Sequence, residues 1–385
     1  MARASGGRPR VLFVINSLAG GGAERVMLAL IAASEDLRDR YDIALALLDR
    51  EPRAYPAPAW LKIHQLDGRL SLARSLAQFV RLVARERPDA TLSFLTRSNM
   101  VGVLAAKLLG HRAIISERAN TSGHFKPGVS GTVAKKLIRA LYPRADAVVA
   151  VSRGIADDLR DRFDVDAARL DVIANPLDGD AIRTAADEVP AITSDRPYLI
   201  AVSRLTKGKN VSLIVDALAR ARTGLDLLIL GQGPERAAIE ERAAELGMAA
   251  RIRFCGFQQN PYAIMRGARA YVSASNGEGF PNGLVEALAL GLPVIATNCA
   301  SGPSEILADR RREEVDGLVF AEFGVLVPPN DADLFAQAID AVASDPGRRE
   351  ALSAAGPKRA AEYGTDRAKA AYWSVIERVL ASPSR

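Results

Sequence analysis

Short apolar runs and amphipathic stretches alternate twice over along this chain, and the alternation limits the fold more than any single motif does. Arg10–Ile15, Asp42–Leu48, Leu61–Leu66, Ala90–Phe94, Arg112–Ser116 and Ala147–Val151 read as strands. Helical periodicity covers Leu70–Arg85, Asn99–Leu109 and Thr132–Tyr142. Such a series predicts a parallel sheet covered by helices on both faces.

After Asn175 and Pro176 the pattern breaks into a polar stretch with two prolines, LDGDAIRTAADEVPAITSDRP, which reads as a linker. The alternation then restarts, with strands at Tyr198–Val202, Asp226–Leu230, Ile252–Phe254, Ala270–Ser273 and Pro293–Ala296 and helices at Val211–Arg222, Glu235–Leu246, Pro261–Arg266 and Leu284–Leu290. Late helices are expected at 331–344, 348–362 and 368–380. At 385 residues the chain exceeds what one core sustains. The expected architecture is α/β: two Rossmann-like, doubly wound parallel-sheet domains at residues 9–178 and 195–365. Ligands in such sheets sit beyond the carboxyl ends of the strands. Asn16–Arg25, Thr96–Asn99, Glu117–Asn120 and Ser152–Gly154 are therefore expected along one edge of the first sheet.

The richest stretch is Ser273–Thr297, SASNGEGFPNGLVEALALGLPVIAT, which reads as strand, glycine-rich loop, helix, strand. With Pro281 in the first helical turn, where its missing N–H costs nothing, Glu278 lies in the loop and Glu286 inside the helix. Carboxylates that accept from sugar hydroxyls, beside a helix N-terminus that holds phosphate or sugar oxygens, suit a polyhydroxy ligand with negative charge. Ser203–Asn210, SRLTKGKN, places three cations next to a glycine and a helix start, a pattern suited to a diphosphate. Gly20, Gly21 and Gly22 join the first strand to GAER, and Gly231 and Gly233 follow the strand DLLIL.

Taken together, Glu278-x7-Glu286 with GFPNG inside it and GLPVIAT after it resembles the signature of the family-4 glycosyltransferases, retaining enzymes of the GT-B fold. The resemblance spans nearly the whole chain. It implies two Rossmann-like domains facing a cleft, with a C-terminal helix within 366–385 that crosses back to the first domain. It implies that Arg204 and Lys209 hold the donor diphosphate and stabilise the leaving nucleotide, with Ser203 where the family usually has glycine. It places Glu278 at the transferred sugar, Gly279, Phe280, Pro281 and Asn282 around it, and Glu286 on the ribose hydroxyls. Gly21, Gly22, Gly231 and Gly233 fall at donor-side turns, and Phe257–Pro261 where the family contacts the nucleobase. Glu117, in SERAN, stands near where many relatives carry a histidine by the acceptor; a strand-end ion pair with Arg118 is the other reading of it. Together with SFLTRSN and SGPSEIL, SERAN is similar to the subgroup that adds N-acetylhexosamines to undecaprenyl-diphosphate-linked sugars, which implies a UDP-linked donor as cosubstrate.

The remaining features narrow the alternatives. Two cysteines, Cys255 and Cys299, and three scattered histidines give no metal-ligand spacing. Asp164-x-Asp166 and Asp331-x-Asp333 match a metal-binding D-x-D but read as a turn and a helix cap, so no metal and no cofactor are expected. No apolar run is long enough to span a bilayer, and MARASGGRPR lacks the core of a signal peptide, so a cytoplasmic protein is expected. Aromatic content of 5% without interleaved stacking residues argues against nucleic acid.

Charge is unevenly placed: residues 60–144 hold 15 basic against 4 acidic side chains. Leu72, Leu76, Phe79, Val80 and Val83 share a helical face ringed by Arg69, Arg74, Arg81 and Arg85. Val133, Leu137, Ile138 and Leu141 do the same beside Lys135, Lys136 and Arg139. Either these helices dock peripherally on an anionic membrane, or their apolar faces cover the sheet and the cations face water. A soluble transferase acting on a small molecule or sugar phosphate, an epimerase of the same fold and a nucleotide-binding protein without turnover are the rival readings.

Overall fold

The computed structural model describes residues 7–124 and 128–383. The first six residues, on which part of the signal-peptide expectation falls, and the last two of the 366–385 stretch lie outside it. The chain forms two compact units, Met1–Pro176 with Thr365–Arg385, and Leu177–Gly364.

In the first stretch β1 (Arg10–Ile15), α1 (Gly22–Ala33), β2 (Asp42–Leu47), β3 (Lys62–Gln65), α2 (Leu72–Glu86), β4 (Ala90–Phe94), α3 (Thr96–Leu109) and β5 (Arg112–Glu117) are followed by α4 (Thr121–His124), α5 (Val129–Leu141), β6 (Ala147–Ala150), α6 (Arg153–Phe163) and β7 (Leu170–Val172). The sheet runs β3-β2-β1-β4-β5-β6-β7, every pairing parallel. β1 lies inside the sheet, and Val11–Ile15 is buried at every position because helices cover both faces.

The second stretch holds α7 (Gly179–Ala186), β8 (Tyr198–Val202), α8 (Val211–Arg220), β9 (Asp226–Leu230), α9 (Arg236–Glu245), β10 (Ile252–Gly256), α10 (Tyr262–Arg266), β11 (Ala270–Ser273), α11 (Asn282–Ala289), β12 (Val294–Thr297), α12 (Pro303–Ala308), β13 (Val319–Phe320), β14 (Val325–Val327), α13 (Ala332–Ser344) and α14 (Pro346–Ala361). Its order is β10-β9-β8-β11-β12-β14-β13, with only the short β13 antiparallel. Strand order reverses between β1 and β4 in the first sheet and between β8 and β11 in the second. These are the switch points where doubly wound sheets open a crevice.

The final helix, α15 (Thr365–Ala381), belongs to the first unit. Tyr372, Trp373, Val375, Ile376 and Val379 enter the core made by Val26, Ile31, Tyr41 and Leu92. The Trp373 indole N–H donates to Ser34 Oγ at 2.7 Å, so the ring is buried with its polar edge satisfied.

Two expectations change, and for α2 one of two open alternatives is borne out. The polar stretch after Pro176 is not an open linker: α7 starts on an Asp178 cap and buries Ile182 and Ala186. Pro281 does not enter the first turn of α11 but precedes it at the N-cap. The apolar face of α2 is covered, since Phe79, Leu82 and Val83, with Leu72, Leu76 and Val80 beside them, pack on Leu12, Val14 and Ala44. That face covers the sheet, with Leu72, Leu76 and Val80 partly buried at its margin.

Candidate active site

The second unit assembles its site at the β8/β11 switch point. Ser203–Asn210 leaves the carboxyl end of β8, and Ala274–Pro281 leaves the carboxyl end of β11.

The first of these loops is set by the loop after β9. The Ser203 N–H donates to Leu230 O, the Leu205 N–H to Gln232 O at 2.9 Å, and the Glu235 N–H returns to Leu205 O at 3.1 Å. Gly231 and Gly233 make this approach possible. A Cβ at Gly231 would lie 1.8 Å from Ser203 O, and one at Gly233 2.1 Å from Leu205 O. Both glycines, expected at the donor, are therefore required first by two backbones in contact. Their effect on a ligand runs through the placement of Arg204. That side chain is exposed and makes no ion pair with any described residue.

The two switch-point loops are joined by backbone and side chain. The Asn276 N–H donates to Gly208 O at 2.8 Å. Lys209 Nζ lies 2.5 Å from Glu278 Oε1, and Ser275 Oγ donates to the same oxygen at 2.6 Å. Thr297 Oγ1 donates to Ser275 O at 2.6 Å, and Ser301 Oγ to Glu278 O. A carboxylate, an ammonium and two anchored loops thus converge on one small volume.

Glu286 sits in the middle of α11 and is buried. The Tyr271 phenol, on β11, is pushed up first by burial and then by the charges of Glu286 and Glu278. It donates to Val202 O at 3.3 Å. Tyr271 therefore links both glutamates to one neighbourhood. Burial, followed by the Glu278 charge, raises the Cys299 thiol to about 12, so it stays protonated and unreactive at neutral pH.

Of the residues expected around the sugar, Gly279 and Pro281 are buried and Asn282 opens α11. The Phe280 ring packs edge-to-face on Tyr363 with centroids 5.2 Å apart, so the protein itself occupies that face. Phe257 is exposed, and Asn260 begins α10 by accepting from the Tyr262 N–H.

The first unit holds the other expected residues. Gly21 is the N-cap of α1 and Gly22 its first residue. Glu117, buried at the end of β5, accepts from Tyr142 Oη at 2.6 Å, from the N–H groups of Arg118 and Ala119, and from Thr96 Oγ1 at 3.4 Å. The Arg118 guanidinium donates to Tyr372 Oη and Asn175 Oδ1 and lies over the Phe94 ring. At the same sheet edge Arg97 pairs with buried Asp49 and donates to Asn16 Oδ1. Asp49 follows β2 with no motif around it, and only the fold reveals it.

The D-x-D carboxylates have structural partners. Asp164 pairs with Arg139, Asp166 and Asp331 cap helical turns, and Asp333 pairs with Arg220. Among the described residues no group of three or more His, Cys, Asp or Glu side chains is placed to hold a metal ion.

Two doubly wound parallel sheets of this order fit the GT-B scaffold, and comparison with known proteins gives the class. The family described as "Glycosyltransferase Family 4" matches residues 20–180 and "Glycosyl transferases group 1" matches 182–359. The chain is 30% identical over 362 residues to a Campylobacter jejuni N-acetylgalactosamine-N,N'-diacetylbacillosaminyl-diphospho-undecaprenol 4-alpha-N-acetylgalactosaminyltransferase, covering 91% of this chain and 94% of that protein. Among solved structures, Anabaena HepE in complex with UDP superposes with a TM-score of 0.76 at 17% identity, covering 96% of this chain and all of that one. A sucrose-phosphate synthase from Thermosynechococcus elongatus gives a TM-score of 0.78 at 19% identity over 98% of this chain and all of the other. The chain belongs to the family-4 glycosyltransferases, and it is an enzyme of that class.

Proposed function

We propose that this glycosyltransferase moves an N-acetylhexosamine, with retention at the anomeric carbon and without a metal, from a UDP-linked donor to an undecaprenyl-diphosphate-linked glycan at the inner face of the cytoplasmic membrane. The observation that carries the reading is the meeting of Lys209 and Glu278 at the β8/β11 switch point. Lys209 donates one N–H to Glu278 and keeps two for phosphate oxygens, and Arg204 adds a planar fork of donors. Two cations stabilise charge on a departing diphosphate as a divalent ion would. Glu278 accepts from hydroxyls of the transferred sugar and Glu286 from those of the ribose. Attack from the face of the leaving phosphate, which takes up the acceptor proton, preserves configuration.

Support for the donor and acceptor comes from relatives: the Campylobacter protein is named for a diphospho-undecaprenol acceptor, and HepE was crystallised with UDP. Among the described residues no helix is long and apolar enough to cross a membrane. We assign access to a lipid-linked acceptor to the basic surface of the first unit.

The test is a donor screen. Purified protein is given undecaprenyl-diphosphate-sugar acceptors and each UDP- and GDP-sugar in turn, and nucleotide release and lipid mass are followed by mass spectrometry. A mass gain of one N-acetylhexosamine with a UDP donor is expected. Nucleotide release with no lipid product would move the acceptor to a soluble sugar, and no signal with any donor would favour epimerisation or binding alone.

A further inference from the structure

Both donors that reach the Glu278 carboxylate take the same oxygen. Lys209 Nζ and Ser275 Oγ lie 2.5 and 2.6 Å from Oε1, while Oε2 accepts from no described residue. A carboxylate oxygen has two strong acceptor directions. With those of Oε1 filled, the capacity that remains for a ligand hydroxyl is that of Oε2.

The backbone beneath Glu278 is anchored independently. Thr297 Oγ1 holds Ser275 O, Ser301 Oγ holds Glu278 O, and Gly208 O accepts from the Asn276 N–H. What these bonds leave free is the rotation of the Glu278 side chain itself. Ser275 is almost wholly buried, at 3% exposure, and its hydroxyl has this carboxylate as its hydrogen-bond acceptor. Lys209, by contrast, is partly exposed and has a second task at the phosphates. It cannot by itself keep the carboxylate in one orientation while a donor enters and leaves.

We propose that Ser275 is a positioning residue for sugar transfer, which with Lys209 holds Glu278 Oε1 so that Oε2 faces the transferred sugar. The assignment rests on the reading that places Glu278 at that sugar. A misplacement of about 1 Å in a positioned group costs on the order of 10²-fold in rate, and a carboxylate free to rotate is such a misplacement.

Six proteins test it: wild type, Ser275→Ala, Ser275→Cys, which keeps the volume but is a weak donor, Glu278→Ala, Glu278→Gln, and Ser275→Ala combined with Glu278→Gln. Turnover is measured with UDP-N-acetylgalactosamine and UDP-N-acetylglucosamine. Ser275→Ala and Ser275→Cys are expected to lower kcat by roughly 10- to 100-fold, with the donor KM within about threefold and UDP affinity unchanged. In the Glu278→Gln background the Ser275→Ala change is expected to add less than about twofold, because a residue acting through Glu278 has nothing left to position. Wild-type kcat in Ser275→Cys, or the full Ser275→Ala loss recurring in the Glu278→Gln background, overturns the assignment. If Ser275→Ala does not fold, the Cys variant alone decides. Wild-type turnover in Glu278→Ala sinks the underlying site reading, as does no turnover of either donor by wild type. An inactive Glu278→Ala beside a fully active Ser275→Cys sinks only the role of Ser275.

Discussion

Lys209 and Glu278, 69 residues apart in the chain, meet at 2.5 Å across the switch point of the second sheet. The pair is partly exposed, at 26% and 12% of the side chains, so its worth to stability is closer to a surface pair than to a buried one. Its value is geometric: the cation suited to a diphosphate and the carboxylate suited to a sugar are held one hydrogen bond apart, and in a nucleotide sugar the diphosphate and the transferred sugar are directly joined.

Lys209→Ala is accordingly expected to weaken UDP binding by tenfold or more, about 1.4 kcal/mol or above, while uridine binding changes by less than about twofold. Isothermal titration with the two ligands checks it. An equal loss for both would place the diphosphate elsewhere.

Glu278→Ala is expected to reduce turnover to a trace, on the order of 10³-fold or more below wild type. Its melting temperature should fall by several degrees with the fold kept, since the lost ion pair contributes about 1 kcal/mol and the buried Ser275 hydroxyl loses its acceptor at about 1–3 kcal/mol. Wild-type rates in this variant would remove Glu278 from the site.

Gly233→Ala forces a methyl group to within 2.1 Å of Leu205 O. Neither backbone has an easy retreat, because the Leu205 N–H is bonded to Gln232 O and Leu205 O receives the Glu235 N–H. Overpacking of this kind costs about 1–3 kcal/mol, or roughly 3–10 °C in the melting temperature of a unit this size. UDP affinity should fall with it as the Arg204 loop shifts. Unchanged melting and unchanged UDP binding would show that the loops slide apart freely.

Glu86 gives a pH test in the first unit. Lys62, then Arg85 and the His64 neighbourhood, hold its carboxyl down at about 2, against the opposing effect of burial. Because the folded pKa is depressed, the stabilisation is present above the ordinary carboxylate range and is lost as pH falls from about 4.5 toward 2. Glu86→Gln should flatten that part of the stability curve, read from urea midpoints between pH 5 and 2. An unchanged slope would show that the carboxylate is no better solvated in the folded chain than in the unfolded one.

Much of this was written in the residue pattern. Strands such as VLFVI and DLLIL are buried on both faces, so their apolar runs are continuous and mark the two sheets directly. Elements whose inward stripe is thin were harder to read. In α6, RGIADDLRDRF, only Ile155, Ala156, Leu159 and Phe163 turn inward among charges, and in α7 only Ile182 and Ala186 do. At the site, Glu278, Lys209 and Arg204 stand out by motif. Ser275 and Asp49 do not, because a hydroxyl–carboxylate bond inside a loop, or a buried Asp–Arg pair between the loop after β2 and the first turn of α3, depends on backbone paths that no local spacing encodes. Gly231 and Gly233 carry a motif, yet the approach that requires them comes from another loop.

The basic surface of the first unit can now be divided. The apolar face of α2 lies in the core, while its Arg81 and Arg85 are exposed, with Arg85 beside Glu86. On α5, Lys135 donates to Ser122 O and Arg139 pairs with Asp164, Lys136 faces solvent, and Val129 and Val133 are exposed at 83% and 57%. Along the body of α2 this surface offers charge to an anionic membrane, and the start of α5 adds exposed apolar side chains beside Lys136. Arg81→Glu with Arg85→Glu and Lys136→Glu should weaken sedimentation with phosphatidylglycerol vesicles strongly at low salt, and raised salt should weaken wild-type binding in the same way. Val129→Ser with Val133→Ser should give a smaller loss that persists at high salt. Vesicle binding that survives all five changes would take the membrane contact away from this surface, and binding lost only with the valines would make it an insertion rather than an electrostatic attachment.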